Sequence, residues 1–295
     1  MCDTRVQASV VGLGLVHTLG GCRQLLTRNP LPKSPPPPDC SRLTSLLSAK
    51  TLRRIPRYAR MATLAAMDAI TQAGWQDDLA NTALFLGTAY GSVAMNLDFM
   101  DSIVDNGARL ASPTAFSHAV TNIGAGLVSM LLGIQGSLIT ISQFSLSFAG
   151  ALSYACSYLG TGRGERVLVG AVDEIDPRFT ALCPNIQSPS YPQSEGAAFF
   201  CLVPARADAP RLSVRFDKTC SAPLLFATGL GMEGAVDNAA SFGHSPVNQA
   251  LDTMLALLQE QTAGNAIDCI GWDANSGRYA VVSVERGCRS FSSMA

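Results

Sequence analysis

Charge is what this sequence has least of. Asp, Glu, Lys and Arg make up 15% of its 295 residues, where about 25% is usual for a soluble domain. Net charge is −1 and the pI about 6.3, which excludes the basic stripe that a nucleic-acid-binding surface needs. The shortage is concentrated. Between Arg109 and Arg163 lie 53 residues without one charged side chain. The best apolar segment of that run, IGAGLVSMLLGI at 123–134, falls short of the ~20 residues that span a bilayer. A deep core or a subunit interface is expected there, not a membrane span. Mean hydropathy is positive, +0.22, so part of the outer surface is expected to be covered by another chain.

Other absences narrow the chemistry. Nine cysteines form no CxxC pair and keep no metal-like spacing to histidine, so neither a zinc site nor a disulfide framework is expected. Reduced thiols in a cytoplasm fit best. The opening MCDTRVQASVVGLG has no basic stretch before a long apolar run, and no secretory signal is expected. Glycines cluster in GLG (12–14) and GTAYG (87–91), but no full GxGxxG opens a helix. Close backbone packing is therefore the better account than phosphate binding.

What is present is an alternation of buried strands and amphipathic helices. QASVVGLGLV (7–16) reads as a strand entering a Gly-rich turn. RYARMATLAAMDAITQAG (57–74) has helical apolar spacing and a terminal Gly for its C-cap. TALFLGTAYGS (82–92) is a strand entering a turn, and 92–107 a helix. NIGAGLVSMLLG (122–133) is a small-residue helix, SLITIS (137–142) a short strand, and Leu146 to about Gly160 a helix. ERVLVGAVDE (165–174) is a buried strand. EGAAFFCLVP (195–204) and RLSVRF (211–216) look like paired strands, while PLPKSPPPPD (30–39) is a proline-rich surface loop. A helix at 246–261 and strands AIDCIGWD and YAVVSVER complete the chain. This pattern predicts an α/β layered fold.

The order of elements resembles the beta-ketoacyl synthases of the thiolase-like fold. VVGLGLVHTLG, RRIPRYARMATLAAMDAITQAGW, SPTAFSHAVTNIGAGLVSMLLGIQG, VLVGAVDE and SEGAAFFCLVPA carry the likeness, over roughly residues 7–204. It implies a layered α-β-α-β-α architecture with a shortened C-terminal half. Residues 1–175 would form an N-terminal half and 176–295 a truncated second half, in one compact unit. In catalytic members of the family the nucleophilic cysteine falls nine residues after the glycine that is here Gly136. That position is Ser145, with Gln143 two residues before it.

The resemblance also implies how far the chemistry has eroded. A ketosynthase uses a thiolate at a helix N-terminus; a serine hydroxyl stays protonated unless a base adjoins it. The family's second histidine falls on His244, its lysine on Ala239, and its first histidine on Thr228. The Gly-Phe-Gly-Gly loop has no counterpart in WDANSGRYAVV. The residues alone leave Ser145 open between a small turn residue and a nucleophile, His244 between a cap and a catalyst, and His118 between a packed histidine and one facing a partner's channel.

The implied protein is a noncatalytic subunit similar to a chain-length factor of a type II polyketide or aryl polyene system. It would form a heterodimer with a catalytic ketosynthase through the strand before the nucleophile and the SPTAFSH segment. The substrate would be carried on the phosphopantetheine of an acyl carrier protein, which visits transiently; no cofactor is expected. Tyr90, Ala115, Phe116, His118, Gln143 and Phe144 are the expected tunnel and interface residues. Two alternatives stand beside this expectation: a serine-dependent acyltransferase using Ser145 and His244, and a purely structural ketosynthase partner.

Overall fold

The computed structural model describes residues 6–18, 20–25, 36–182, 195–218, 245–258, 267–273, 278–285 and 287. Eight strands form one mixed sheet in the order β3-β2-β4-β5-β1-β6-β8-β7. They are β1 (Gln7–His17), β2 (Ala83–Gly87), β3 (Leu138–Ile141), β4 (Val167–Asp173), β5 (Gly196–Pro204), β6 (Arg211–Lys218), β7 (Ile267–Asp273) and β8 (Arg278–Glu285). The helices are α1 (Cys22–Leu25), α2 (Leu43–Leu46), α3 (Ala49–Leu52), α4 (Arg57–Ala73), α5 (Val93–Asn106), α6 (Pro113–Ala119), α7 (Ile123–Leu132), α8 (Ser147–Gly160), α9 (Pro177–Leu182) and α10 (Pro246–Leu258).

β2 runs parallel to β3 and β4; the remaining pairings are antiparallel. The set β4-β5-β1 and the set β7-β8-β6 repeat one antiparallel arrangement. They meet where β1 pairs with β6 over only three residues, Gln7↔Ser213 to Ser9↔Arg211. So short a seam lets the sheet fold round a helical layer. α8 touches β2 and β4 on one side and β6 and β8 on the other. Side chains that point inward from both halves share one core with α8 and α10, among them Phe85, Phe200 and Val282. The alternate residues Leu84, Leu168 and Phe199 form a second core beneath α4 and α7. The described helices thus give layers α-β-α-β, four of the five expected of the thiolase-like order.

β5 and β6 do not pair with each other, as their proximity in sequence suggests; β1 lies between them. Nor does β1 turn at its glycines. A Cβ on Gly14 would sit 1.9 Å from the Ala65 carbonyl oxygen, and one on Gly12 2.3 Å from that of Ala69. Both glycines exist so that α4 can lie directly on the strand. Gly14→Ala is therefore expected to cost about 3 kcal/mol, at the upper end for overpacking, read as a lowered urea midpoint at unchanged slope.

Helix ends follow local chemistry. Gly74 and Gly133 cap α4 and α7 in the left-handed region, where glycine has no Cβ penalty. Ser112 caps α6 by accepting from the Ala115 amide, and Pro113 opens it, a combination that favours a helix start. No single described helix is long and apolar enough to cross a membrane.

Candidate functional site

In a parallel sheet the loops beyond the C-terminal strand ends are where ligands are held. Three such ends lie side by side here: β2 into the turn 88–91, β3 into 142–146, and β4 into 174–176. Gly87 lets the first two approach, because a Cβ there would fall 2.6 Å from the backbone of Ser147. Ser147 Oγ accepts from the Gln143 amide at 2.7 Å and lies 2.9 Å from the Thr88 carbonyl and 2.7 Å from that of Phe144, able to donate to either. Ser142 Oγ donates to the Ala89 carbonyl at 3.2 Å.

Ser145, the position expected for the nucleophile, sits in this stapled turn. Ser145 is buried, in a short 3-10 turn just ahead of α8. Among the described residues its hydroxyl has neither a hydrogen-bond partner nor a base beside it. The thiols offer no substitute. Burial pushes Cys156 and Cys22 up to about 12 and Cys40 to about 11, and raises Cys201 as well, so none of these four supplies a thiolate.

Aromatic side chains stand around Ser145. Phe144 adopts φ +47°, a region that costs a non-glycine residue roughly 1–2 kcal/mol, and its ring is 53% exposed. It packs edge-on against Tyr90 at 6.0 Å between centroids, and Tyr90 packs on Phe179 of α9 at 5.1 Å. Gln143 is exposed and folds its amide oxygen to 2.8 Å from where a Cβ of Gly150 would be. Ala115, Phe116 and His118 lie on α6, a little apart. Phe116 packs on Phe99 of α5 at 5.2 Å. The segment joining α6 to α7 reaches the site turn, where Thr121 lies against Gly91. Structure thus gathers Tyr90, Gln143, Phe144 and Ser145 into one group and places the α6 residues on a neighbouring wall. Thr228, Ala239 and His244 lie outside the described residues.

Sequence reasoning missed Phe179, Phe99 and the acidic pair that ends β4. Asp173 and Glu174 are both buried. The signal was there: two carboxylates closing the apolar run VLVGAV, where charge survives only if backbone donors meet it.

The outer side of this region is apolar and uncovered. β3 pairs with β2 along one edge; among the described residues nothing pairs with the other. Leu138 of β3, Phe116 of α6 and Met130 of α7 are 40%, 57% and 70% exposed, and Met100, Val104, Leu110 and Val120 are exposed as well. The chain's own fold therefore buries only part of the charge-free run: α8 lies in the core, whereas Phe116, Met130 and Leu138 stay exposed.

Residues 24–228 match the family model of the beta-ketoacyl synthase N-terminal domain. The curated relatives include nodulation protein E of Rhizobium sp. (strain N33), 29% identical over 131 residues, which are 43% of this chain and 32% of that protein. The chain thus spans about a third of the relative's length. Among solved structures the fold is shared with the AntDE:AntF complex, a type II PKS acyl-carrier protein with its ketosynthase bound to the hexaketide (TM-score 0.75, 17% identity, 96% of this chain and 100% of that one). It is shared too with the ishigamide ketosynthase/chain length factor (TM-score 0.72, 18% identity, 95% and 99%). With more than half of its length matched by that family model, this chain belongs to the beta-ketoacyl synthase family.

Proposed function

We propose that this chain is a noncatalytic, chain-length-factor-like subunit that pairs with a catalytic beta-ketoacyl synthase and shapes the tunnel into which the growing acyl chain extends. The observation that carries the proposal is the nucleophile turn itself. It keeps its backbone staples and its place before α8, yet it presents a buried serine hydroxyl with no base beside it among the described residues. The exposed apolar face around β3 supports the pairing, since a short apolar edge strand left open invites another strand. The neighbours that carry a ketosynthase with its chain length factor, or with a carrier protein, are in keeping with such an assembly.

The mechanism is steric. The partner's cysteine holds the acyl chain, delivered on the phosphopantetheine of an acyl carrier protein, and condensation proceeds there. This subunit supplies a wall, made of Tyr90, Phe144 and Gln143 at the strand ends and of Ala115, Phe116 and His118 on α6. An aryl polyene or related type II polyketide system is the setting we favour, because the aromatic lining suits an apolar, planar chain. Co-expression with a ketosynthase, followed by product analysis of wall variants, tests this proposal: product length should fall as bulk at these positions rises, while the yield of the first condensation stays constant.

A further inference from the structure

Asp173 closes β4 and is buried, and no cation pairs with it among the described residues. Its Oδ1 accepts three hydrogen bonds, all from one turn: Thr88 Oγ1 at 2.8 Å, the Ala89 amide at 2.9 Å and the Tyr90 amide at 3.3 Å. Glu174 Oε1 takes the Ala94 amide at 3.0 Å, in the first turn of α5, whose N-cap residue Ser92 gives no side-chain cap. The turn so held is itself a hub. Thr88 Oγ1 receives the Gly91 amide, the Thr88 carbonyl lies within reach of Ser147 Oγ, and the Ala89 carbonyl accepts from Ser142. A chain of short contacts therefore runs from Asp173 to the turn that carries Tyr90, and on to the turn that carries Gln143, Phe144 and Ser145.

The other carboxyl oxygen is left over. Among the described residues Asp173 Oδ2 is buried with no hydrogen-bond partner, as is the hydroxyl of Tyr58. Tyr58 comes from α4 and lies beside Thr88 and Asp173 at a geometry that falls short of a hydrogen bond to either. A charged oxygen in that position has nothing to replace its lost water.

We propose that Asp173 is a positioning residue: its Oδ1 fixes the 88–91 turn and, through Ser142 and Ser147, the 142–146 turn, while its unpartnered Oδ2 makes that hold weaken when the carboxyl loses its proton. Burial raises the Asp173 carboxyl to about 7, against the downward pull of the Thr88, Tyr90 and Ala89 donors, and neighbouring Glu174 adds to the rise. An exposed Asp titrates near 3.9. The closed turn thus binds the proton more tightly than the opened one. Its extra stability is fully present below pH ~3.9 and lost as pH rises through about 7. Opening of the turn should grow by up to tenfold per pH unit across that window and level off above it.

Of the other ionisable groups nearby, Glu174 shifts in the same direction but holds the Ala94 amide of α5 and not the 88–91 turn. Tyr58 is pushed well above its ordinary value by burial and by Asp173. His17, opposite Gly196 on β1, is pushed down to about 4 by burial. Glu174 is raised by burial but keeps the Ala94 amide and feels Arg57, which pairs with Glu195.

Any effect on product length rests on the function proposed above; the effect on the turn does not. Hydrogen exchange on the full chain, corrected for intrinsic rates, separates the two. In the wild type the Ala89 and Tyr90 amides should open at least about tenfold more at pH 7.5 than at pH 5. Asp173→Asn retains the accepting oxygen and should exchange equally at both pH values. Asp173→Ala should exchange fast at both. An Asn variant that keeps the wild-type pH dependence would assign the titration to another group and overturn the proposal. So would an Ala variant as protected as wild type. Should the Ala variant not fold, the comparison of wild type with Asn decides alone.

Discussion

Aspartate at both Leu138 and Met130 should abolish assembly with the ketosynthase while leaving the isolated fold intact. Both side chains are exposed in this chain, at 40% and 70%, so neither substitution removes a core contact or leaves a cavity. In a complex built on the β3 edge both would be buried, and each would bring an unpaired charge into an apolar interface. Roughly 3 kcal/mol in total is a conservative cost for desolvating two such charges, and it corresponds to about a 100-fold loss of affinity. Light scattering on the co-purified material should show the complex replaced by separate subunits, and the melting temperature of the isolated chain should be unchanged. Retained assembly would move the interface away from this face.

The second large effect concerns product length. Tyr90 is packed between Phe144 and Phe179, so Tyr90→Ala removes one of the ~150–250 Å² aromatic surfaces from the middle of the group. Products longer than wild type, or a broadened distribution, are expected from the variant complex. Phe116→Ala should act in the same direction from α6, and Ala115→Trp in the opposite one. The first condensation should be intact in all three, since none touches the partner's cysteine in this account. Mass spectrometry of carrier-bound products reads both quantities. Unchanged lengths in Tyr90→Ala and Phe116→Ala together would remove these residues from the wall.

Phe144 sharpens that argument. Its left-handed backbone costs roughly 1–2 kcal/mol, while an edge-on contact with Tyr90 returns about 0.5–1.5 kcal/mol. Phe144→Gly should therefore change stability by less than about 1 kcal/mol in either direction. Strain of this kind is kept where the side chain's position is used.

Much of this fold was legible because it is written in local patterns. Apolar periodicity and Gly74 define α4, and alternate apolar residues define the strands that face two cores. The nine-residue step from Gly136 to Ser145 comes from the resemblance; of its two ends, Gly136 is sterically fixed, since a Cβ there would strike the Thr82 carbonyl at 2.4 Å. Non-local features were not legible. That β1 would insert between β5 and β6 depends on pairings some 190 residues apart in sequence. The role of Asp173 depends on a turn 83 to 85 residues away. Phe144 could not be foreseen in a glycine-like conformation, because nothing in SQFSL marks it. The glycines of β1 looked like a turn and proved to be a packing surface, a difference visible only once α4 is laid against them.

The most direct test of the central claim is intact-mass spectrometry of this chain, purified alone and after co-expression with its ketosynthase, following incubation with acyl- and malonyl-carrier proteins. The account predicts a one-to-one complex in which acyl mass appears on the ketosynthase and never on this chain. A stable homodimer of this chain that gains acyl mass at Ser145 would contradict it and establish a serine-dependent acyltransferase instead.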